Sequence, residues 1–186
     1  HPLRYWDFIP SIVQHYFVKK ICFYGPESTG KSVMTKRFAE IFQTEFVPEV
    51  AREIVSSNEF TIEDIIRIGK AQTERVMEKT KIANKFLFCD TDLITTQIYC
   101  RHYLKIVPPI LFQLEKQITY DTYFLFDIDV PWVEDGLRDL GAQRTKMFGA
   151  FKDELEKRGI SYTVVKGSWV ERQQIIEQNL KLLLSV

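Results

Sequence analysis

The chain has 186 residues, of which 45% are hydrophobic and 27% are charged, a composition typical of a globular protein. Its 25 basic and 25 acidic side chains give a formal net charge of zero, so the composition predicts no nucleic-acid partner and no anionic membrane surface. No apolar run has membrane-spanning length, and no signal-peptide pattern is present. We therefore expect one cytoplasmic domain of ordinary size with a real hydrophobic core.

The three cysteines, Cys22, Cys89 and Cys100, follow no metal-ligand spacing. Two of them fall in apolar segments that resemble core strands, which favours buried free thiols in a reducing compartment. Residues 1–17 come before the first predicted strand and are aromatic and proline-rich over their first ten positions. We interpret them as an arm that packs on the domain or links it to a preceding one, and a plain N-terminal extension is an equal alternative.

The next segment, residues 18–32, joins an apolar, β-branched strand to a loop that fits the motif G-x-x-x-x-G-K-[ST]. A helical pattern over residues 33–42 follows, and strand, glycine loop and helix are the context in which this motif binds phosphate. Lys31 is predicted to reach the β- and γ-phosphates of ATP, and the Ser32 hydroxyl to ligate Mg²⁺. The residues of the loop are Gly25, Pro26, Glu27, Ser28, Thr29, Gly30, Lys31 and Ser32.

Beyond the loop, apolar strands alternate with helical patterns, which predicts a parallel sheet covered on both faces. The expected fold is an α/β three-layer P-loop NTPase of the nucleoside- and nucleotide-kinase type, with a five-stranded parallel sheet, over residues 18–186. The predicted strands are 18–24, 45–49, 85–90, 122–127 and 161–165. The predicted helices are 33–42, one from residue 50, 61–83, 93–103, one ending at 116, one ending at 157 and one from about 170.

Acidic residues at the ends of the predicted strands are the main candidates for chemistry, because ligands of parallel α/β sheets bind at that edge. Asp90 ends an apolar strand as a Walker B acid does and is a candidate Mg²⁺ ligand opposite Ser32. Asp92 has two interpretations, a site residue or the N-cap of the next helix, for which Thr91 is the other candidate.

Glu49 follows the second strand, where a carboxylate can accept the proton of an attacking hydroxyl or hold sugar hydroxyls. Arg52 lies three residues on, and it can neutralise phosphate charge or pair with Glu49. A Glu–Arg pair that caps the helix is the alternative interpretation of these two residues.

The segment 131–149 is rich in charge and glycine, and it is predicted to be a lid over the phosphates. Arg138 and Arg144 are its candidate phosphate ligands, although a solvated charged loop remains the alternative. Trp132 lies just past the fourth strand, where an indole can stack on a base or a pyridinium ring. Trp169 has no such positional argument, and packing is the preferred interpretation for it.

Several stretches together resemble the ribosylnicotinamide kinase domain of NadR-type NAD-salvage proteins. They are residues 4–10, the loop at 25–32, Glu-Val-Ala-Arg-Glu at 49–53, Asp-Thr-Asp-Leu-Ile-Thr-Thr-Gln at 90–97 and Pro-Trp-Val-Glu-Asp-Gly-Leu-Arg at 131–138. The last two are far more specific than a phosphate loop. The resemblance implies ATP-dependent phosphorylation of the ribose 5′-hydroxyl of nicotinamide riboside, which gives nicotinamide mononucleotide.

By the same resemblance, Trp132 and Asp135 belong to the substrate side of the lid, and Arg138 is a candidate for stabilising transition-state charge. Asp90 or Asp92 is implied to serve metal or substrate, and the base stays open between Glu49 and Asp92. The family also carries an N-terminal nucleotidylyltransferase domain, for which residues 1–17 are the expected connection. The alternatives are a kinase for another nucleoside or nucleotide, and an ATP-binding switch in which turnover is incidental.

Overall fold

The computed structural model describes residues 17–57, 59–130 and 143–184. Within them, five strands form one parallel sheet in the order β2-β3-β1-β4-β5. The strands are β1 (Lys19–Tyr24), β2 (Phe46–Val47), β3 (Phe86–Asp90), β4 (Thr122–Phe126) and β5 (Tyr162–Val165). The helices are α1 (Lys31–Ile41), α2 (Ala51–Ile54), α3 (Ile62–Thr80), α4 (Leu93–Leu104), α5 (Ile110–Glu115), α6 (Arg144–Lys157) and α7 (Trp169–Leu184).

Helices cover both faces of the sheet, as the continuous apolar strands predict. In β1, Ile21 and Phe23 face α1 and α7, while Cys22 and Tyr24 face α4 and α6. The α3 helix packs on the second face beside β2 and β3, and α5 closes a smaller cluster against α3 and α4. The predicted three-layer α/β fold with a five-stranded parallel sheet is confirmed.

The register of the sheet brings three strand ends to one edge. Phe23 of β1 is paired with Asp90 of β3, and Val47 of β2 is paired with Cys89. The loop after β1 and the residues that follow β2 and β3 therefore meet at the carboxyl edge of the sheet. This edge is where parallel α/β sheets bind their ligands.

Some helix boundaries are set by capping residues that the sequence predicts. Thr61 caps α3 through a reciprocal capping box with Asp64, as predicted for this N-cap. Gly159 has a φ of 68° just after α6 and fits the predicted end of that helix. The strand predicted at 45–49 is shorter than expected because Pro48 cannot donate to the ladder.

Two predicted segments fall largely outside the described residues. The arm at 1–17 does so except for Phe17, and residues 131–142 of the predicted lid do so together with Trp132, Asp135 and Arg138. The last residues of the predicted lid, 144–149, form the first turns of α6. The three cysteines are buried and free, as predicted. Among the described helices, none combines the length and the apolar character needed to cross a bilayer.

Candidate active site

The loop between β1 and α1 requires glycine at two positions. Gly25 has a φ of 136°, and a Cβ there would lie 2.8 Å from the carbonyl oxygen of Phe126. Gly30 has a φ of 94°, and a Cβ there would lie 2.6 Å from the indole ring of Trp169. The positive φ strains any other residue at both positions, and at Gly25 the backbone of Phe126 also leaves no room for a Cβ.

Side chains donate hydrogen bonds to carbonyl groups of this loop. The Pro26 carbonyl accepts hydrogen bonds from the Thr29 hydroxyl at 2.8 Å and from Lys31 Nζ at 2.6 Å. The Thr29 carbonyl accepts one from Arg172 at 3.1 Å. In a trans peptide the N–H points opposite to the C=O, so a bond that fixes a carbonyl group also fixes the direction of the N–H that follows it. Inward N–H groups at a helix N-terminus are a site for phosphate oxygens.

Lys31 lies at the start of α1 and is almost fully buried. Burial lowers the pKa of its ammonium group, while the carboxylates of Asp90, Glu49 and Glu27 act in the opposite direction. Lys31 is thus a buried cation among acidic side chains at the carboxyl edge of the sheet. The predicted phosphate-binding lysine and the predicted acids are brought together.

Asp90 ends β3 beside the loop and is 2% exposed. Burial first, and then the nearby Glu49 carboxylate, raise the pKa of Asp90 to about 7, and Lys31 opposes that shift. Its Oδ1 atom is buried without a hydrogen-bond partner in the described part of the chain. A buried carboxylate oxygen without a partner suits a cation or an ordered water.

Glu49 lies two residues past β2 and lines a pocket at this edge of the sheet. Its Oε2 accepts a hydrogen bond from Arg52 Nε at 2.9 Å, so the ion pair of the alternative interpretation is present. The pair does not cap α2, because the N-cap position of that helix, Val50, receives no side-chain hydrogen bond. Glu49 and Arg52 both stay in the wall of the pocket.

Aromatic side chains form much of the rest of this pocket. Tyr99 and Tyr103 lie four residues apart on α4, and Phe60 meets Tyr103 edge to face with ring centroids 5.4 Å apart. Glu27 of the phosphate loop and Glu49 add carboxylates to the same wall. Rings beside carboxylates can accept a flat, polar or cationic ring.

Asp92 is the N-cap of α4, as the second interpretation of this residue predicts. Its Oδ1 accepts hydrogen bonds from the backbone N–H and the hydroxyl of Thr95, both at 3.0 Å, and its Oδ2 accepts one from the Tyr123 hydroxyl at 2.6 Å. Burial raises the pKa of Asp92, although the bonds from Tyr123 and Thr95 favour the ionised form. The side chain is 2% exposed, and the residue is not part of the pocket lining.

Replacing Asp92 by alanine is expected to lower the free energy of unfolding by about 1 to 3 kcal/mol. The change removes an N-cap and leaves the buried Tyr123 hydroxyl without its acceptor. Urea denaturation of the purified chain measures the loss. Asp153→Ala on the exposed face of α6 is the control and should be nearly neutral. Equal stability of both variants would contradict a capping role for Asp92.

Arg144 opens α6 and reaches toward the phosphate loop. Its Nη1 donates to the Val130 carbonyl at 2.9 Å, and its Nη2 lies 3.5 Å from the Ser28 carbonyl. The residue is 9% exposed, and its Nε is buried without a hydrogen-bond partner among the described residues. Burial lowers the pKa of the guanidinium, and Glu27 counteracts this. The sequence placed Arg144 in a lid, and the described structure places it beside the loop.

Sequence reasoning missed some residues of this edge. Tyr99 and Tyr103 could have been found from their spacing along α4, which puts them on one face with Thr95. Arg172, on the last helix, carries no motif and gave no signal. Trp169 was expected to pack, and its ring does contact Gly30, yet half of its surface is exposed.

Comparison with known proteins places these features in context. The family model described as "AAA domain" matches residues 20–172. The trifunctional NAD biosynthesis/regulator protein NadR of Escherichia coli (strain K12) is 34% identical over 174 residues, which are 89% of this chain and 42% of that protein. NadR of Salmonella typhimurium is 34% identical over 176 residues, with the same coverage. The chain thus spans less than half the length of the curated relatives it matches.

Solved structures share the fold. A crystal structure of NadR protein in complex with NR has a TM-score of 0.79 at 21% identity, covering 88% of this chain and 50% of that one. A second NadR structure, in complex with NAD and AMP-PNP, has a TM-score of 0.77 at 20% identity, covering 92% and 51%. Deoxyadenosine kinase from M. mycoides has a TM-score of 0.62 at 13% identity, covering 90% and 100%.

Proposed function

The chain belongs to the AAA domain family, and on that premise we propose that it is an ATP-dependent kinase that phosphorylates nicotinamide riboside at its ribose 5′-hydroxyl. The observation that carries the proposal is that the pocket lined by Glu27 and Glu49 lies directly beside the phosphate loop. Lys31, Asp90 and Glu49 interact electrostatically at the edge where the pocket opens. A phosphoryl donor and a hydroxyl acceptor can therefore occupy adjoining sites.

The loop residues 25–32 bind the ATP phosphates through inward N–H groups, the helix N-terminus and Lys31. In the described structure the ammonium group of Lys31 rests on the Pro26 carbonyl. It has to leave that carbonyl to contact the β- and γ-phosphates. Its charge then stabilises the γ-phosphoryl group during transfer, when negative charge spreads over the equatorial oxygens.

The described residues also fit a Mg²⁺ ion. Among them no cluster of three or more His, Cys, Asp or Glu side chains could hold a metal, but Mg²⁺ in kinases needs only one or two protein ligands beside phosphates and waters. Asp90, with its unpartnered Oδ1, and the exposed hydroxyl of Ser32 are the residues that would hold the ion. Bound Mg²⁺ neutralises charge on the β- and γ-phosphates.

Glu49 is the base in this proposal. Its carboxylate accepts the proton of the 5′-hydroxyl as that oxygen attacks the γ-phosphorus, the bond to the β-phosphate oxygen breaks, and ADP leaves. Arg52 holds the Oε2 atom of Glu49 and so orients the carboxylate in the pocket wall. Asp92 is less suitable, because hydrogen bonds from Thr95 and Tyr123 already occupy both of its oxygens. We assign it the positioning of α4 instead.

The acceptor is proposed from relatives and supported by the pocket. The NadR relatives are NAD biosynthesis proteins at 34% identity, and one similar NadR structure contains NR. Nicotinamide riboside carries a cationic pyridinium ring, which suits the Tyr99 and Tyr103 rings beside Glu27 and Glu49. Substrate roles for Trp132 and Asp135, and a transition-state role for Arg138, stay predictions because these residues lie outside the described ranges.

Two further proposals concern a preceding domain in the full protein and the location of the protein in the cell. The NadR relatives are more than twice as long as the matched region, which supports a preceding nucleotidylyltransferase domain in the full protein. We also propose a cytoplasmic location, which agrees with a role in NAD salvage. Small molecules, ATP and the riboside, are the proposed partners.

Arg144→Gln is expected to raise KM for ATP about 10- to 100-fold, because hydrogen bonds to charged groups contribute about 1.5 to 3 kcal/mol. We propose that this buried guanidinium turns from the carbonyl groups of Val130 and Ser28 to the ATP phosphates. Lys146→Gln, two residues along α6 and exposed, is the matched control and should leave KM unchanged. Initial rates at varied ATP and saturating riboside give both values. An unchanged KM in Arg144→Gln would remove this residue from the phosphate site.

The function is tested by an assay of ADP formation with Mg·ATP and a panel of acceptors. The panel holds nicotinamide riboside, nicotinic acid riboside, adenosine, deoxyadenosine and thymidine, with mass spectrometry of each product. Selective formation of nicotinamide mononucleotide supports the proposal. Turnover of another acceptor would keep the mechanism and replace the substrate. ATP binding without turnover of any acceptor would favour a nucleotide-dependent switch.

A further inference from the structure

A buried arginine on the last helix connects three segments around the phosphate loop. The side chain of Arg172 is 0% exposed, and its Cζ lies 6.0 Å from the centroid of the Phe126 ring. Its guanidinium donates to the carbonyl oxygens of Thr29 at 3.1 Å, Gly167 at 2.9 Å and Asp127 at 3.2 Å. One side chain thus joins the phosphate loop, the loop before α7 and the end of β4.

Asp129 completes this arrangement as the counter-ion. Its Oδ1 accepts a hydrogen bond from Arg172 Nη2, and its Oδ2 accepts one from the backbone N–H of Gly167 at 2.6 Å. The buried cation is therefore paired, and nearly all of the N–H groups of its guanidinium have a hydrogen-bond acceptor. An arginine buried to this degree without partners would be strongly destabilising, so these contacts explain how the chain tolerates it.

The bond to Thr29 has a direct geometric consequence for the loop. The peptide between Thr29 and Gly30 is trans, so fixing its C=O toward Arg172 fixes its N–H in the opposite direction. That N–H belongs to Gly30, the residue before Lys31, in the part of the loop that surrounds the phosphates. The ring of Trp169, three residues before Arg172 on α7, also lies close to Gly30.

We propose that Arg172, with Asp129 as its counter-ion, is a positioning residue that sets the phosphate loop in its ATP-binding conformation. It does not touch ATP in this proposal and acts through the Thr29 carbonyl. A pre-set loop loses less conformational freedom on binding, so its affinity for phosphate is higher than that of a mobile loop. The inference rests on the proposed binding of ATP, but it does not depend on which acceptor is phosphorylated.

The chain offers a matched control for a merely structural effect. Arg158, at the end of α6, is also largely buried and bonded to Glu115, Glu154 and Gln97. Its partners lie on α4, α5 and α6, away from the phosphate loop. Loss of either arginine removes a network between elements, but only Arg172 contacts the loop in these hydrogen bonds.

The test measures Mg·ATP binding by calorimetry without any acceptor, below the melting temperature of every variant. We expect Arg172→Gln to weaken ATP binding about 10- to 100-fold, by analogy with the loss seen when a residue that orients a metal ligand is replaced. Arg172→Lys should recover only part of the loss, because an ammonium group cannot serve all of these carbonyls at once. Asp129→Asn should weaken binding to an intermediate degree. Arg158→Gln should lower the melting temperature but keep ATP affinity within about twofold of wild type.

Several results would overturn the inference. Wild-type ATP affinity in a folded Arg172→Gln variant would do so, and so would equal weakening in Arg158→Gln. In steady-state assays, an equal rise in KM for ATP and for the acceptor would also argue against a loop-specific role. A wild-type chain that binds no ATP at all would overturn the proposed function and this inference together, whereas the first two results leave the proposed function intact.

Discussion

Lys31→Ala is expected to lower kcat about 100- to 1000-fold, the range seen when one group that stabilises transition-state charge is removed. The buried ammonium lies among Asp90, Glu49 and Glu27, where burial makes its electrostatic effect stronger than it would be in water. Its removal also leaves these carboxylates facing the ATP phosphates without a neutralising cation. We expect KM for ATP to rise as well, since in the proposed mechanism Lys31 contacts the phosphates in both the ground state and the transition state.

The control for this variant is Lys70→Ala on the exposed side of α3, which should retain the wild-type rate. Single-turnover kinetics at saturating ATP separate the transfer step from binding. A Lys31→Ala variant with a near-normal single-turnover rate would show that the loop binds ATP without taking part in transfer. In that case the switch interpretation would become the better one.

Much of the fold was predictable because local signals and long-range packing agree. The phosphate motif fixes a strand before it and a helix after it, and the apolar strands indicate burial on both faces. Thr61 and Gly159 mark helix ends by chemistry that acts within a few residues. Boundaries were less certain where propensity is weak, as in the two-residue strand before Pro48.

The candidate site was predictable only where function and position in the chain coincide. Glu49 and Asp90 were chosen as candidates because they lie at the ends of strands, and strand ends converge in a parallel sheet. Asp92 follows a strand as well, but its carboxylate accepts hydrogen bonds from Thr95 and Tyr123. No local sequence pattern predicts that Tyr123 lies next to Asp92. The sequence therefore left two roles for Asp92, and the hydrogen bonds favour the N-cap.

Arg172 shows the limit of such reasoning. Its partner in the phosphate loop, Thr29, is 143 residues away along the chain, so the contact depends on the whole fold. A basic residue in the first turns of an amphipathic helix normally indicates a solvated face. Only the packed structure reveals that this one is fully enclosed. Residues that position a site from another element are hard to find in a single sequence for this reason.

Glu49→Gln is expected to lower kcat about 100- to 10,000-fold and to leave KM for ATP nearly unchanged. The amide keeps the shape of the side chain and an acceptor for Arg52, but it cannot take the proton of the 5′-hydroxyl. General-base catalysis typically contributes a factor of that size, whereas the proposed position of the ATP phosphates is on the loop side of the site. Initial rates at varied riboside and varied ATP separate the two effects.

Two companion variants assign the loss to proton transfer. Glu53 lies one helical turn from Glu49 and pairs with Arg75 on the surface. The kcat of Glu53→Gln should therefore match that of the wild type. Asp92→Asn retains an oxygen for the Thr95 N–H. If Asp92 only caps α4, the kcat of this variant should fall by less than about tenfold. If Asp92→Asn instead lost as much as Glu49→Gln is expected to lose, and Glu49→Gln kept its rate, the base would be Asp92. Its hydrogen bonds to Thr95 and Tyr123 would then have to open before the riboside could approach.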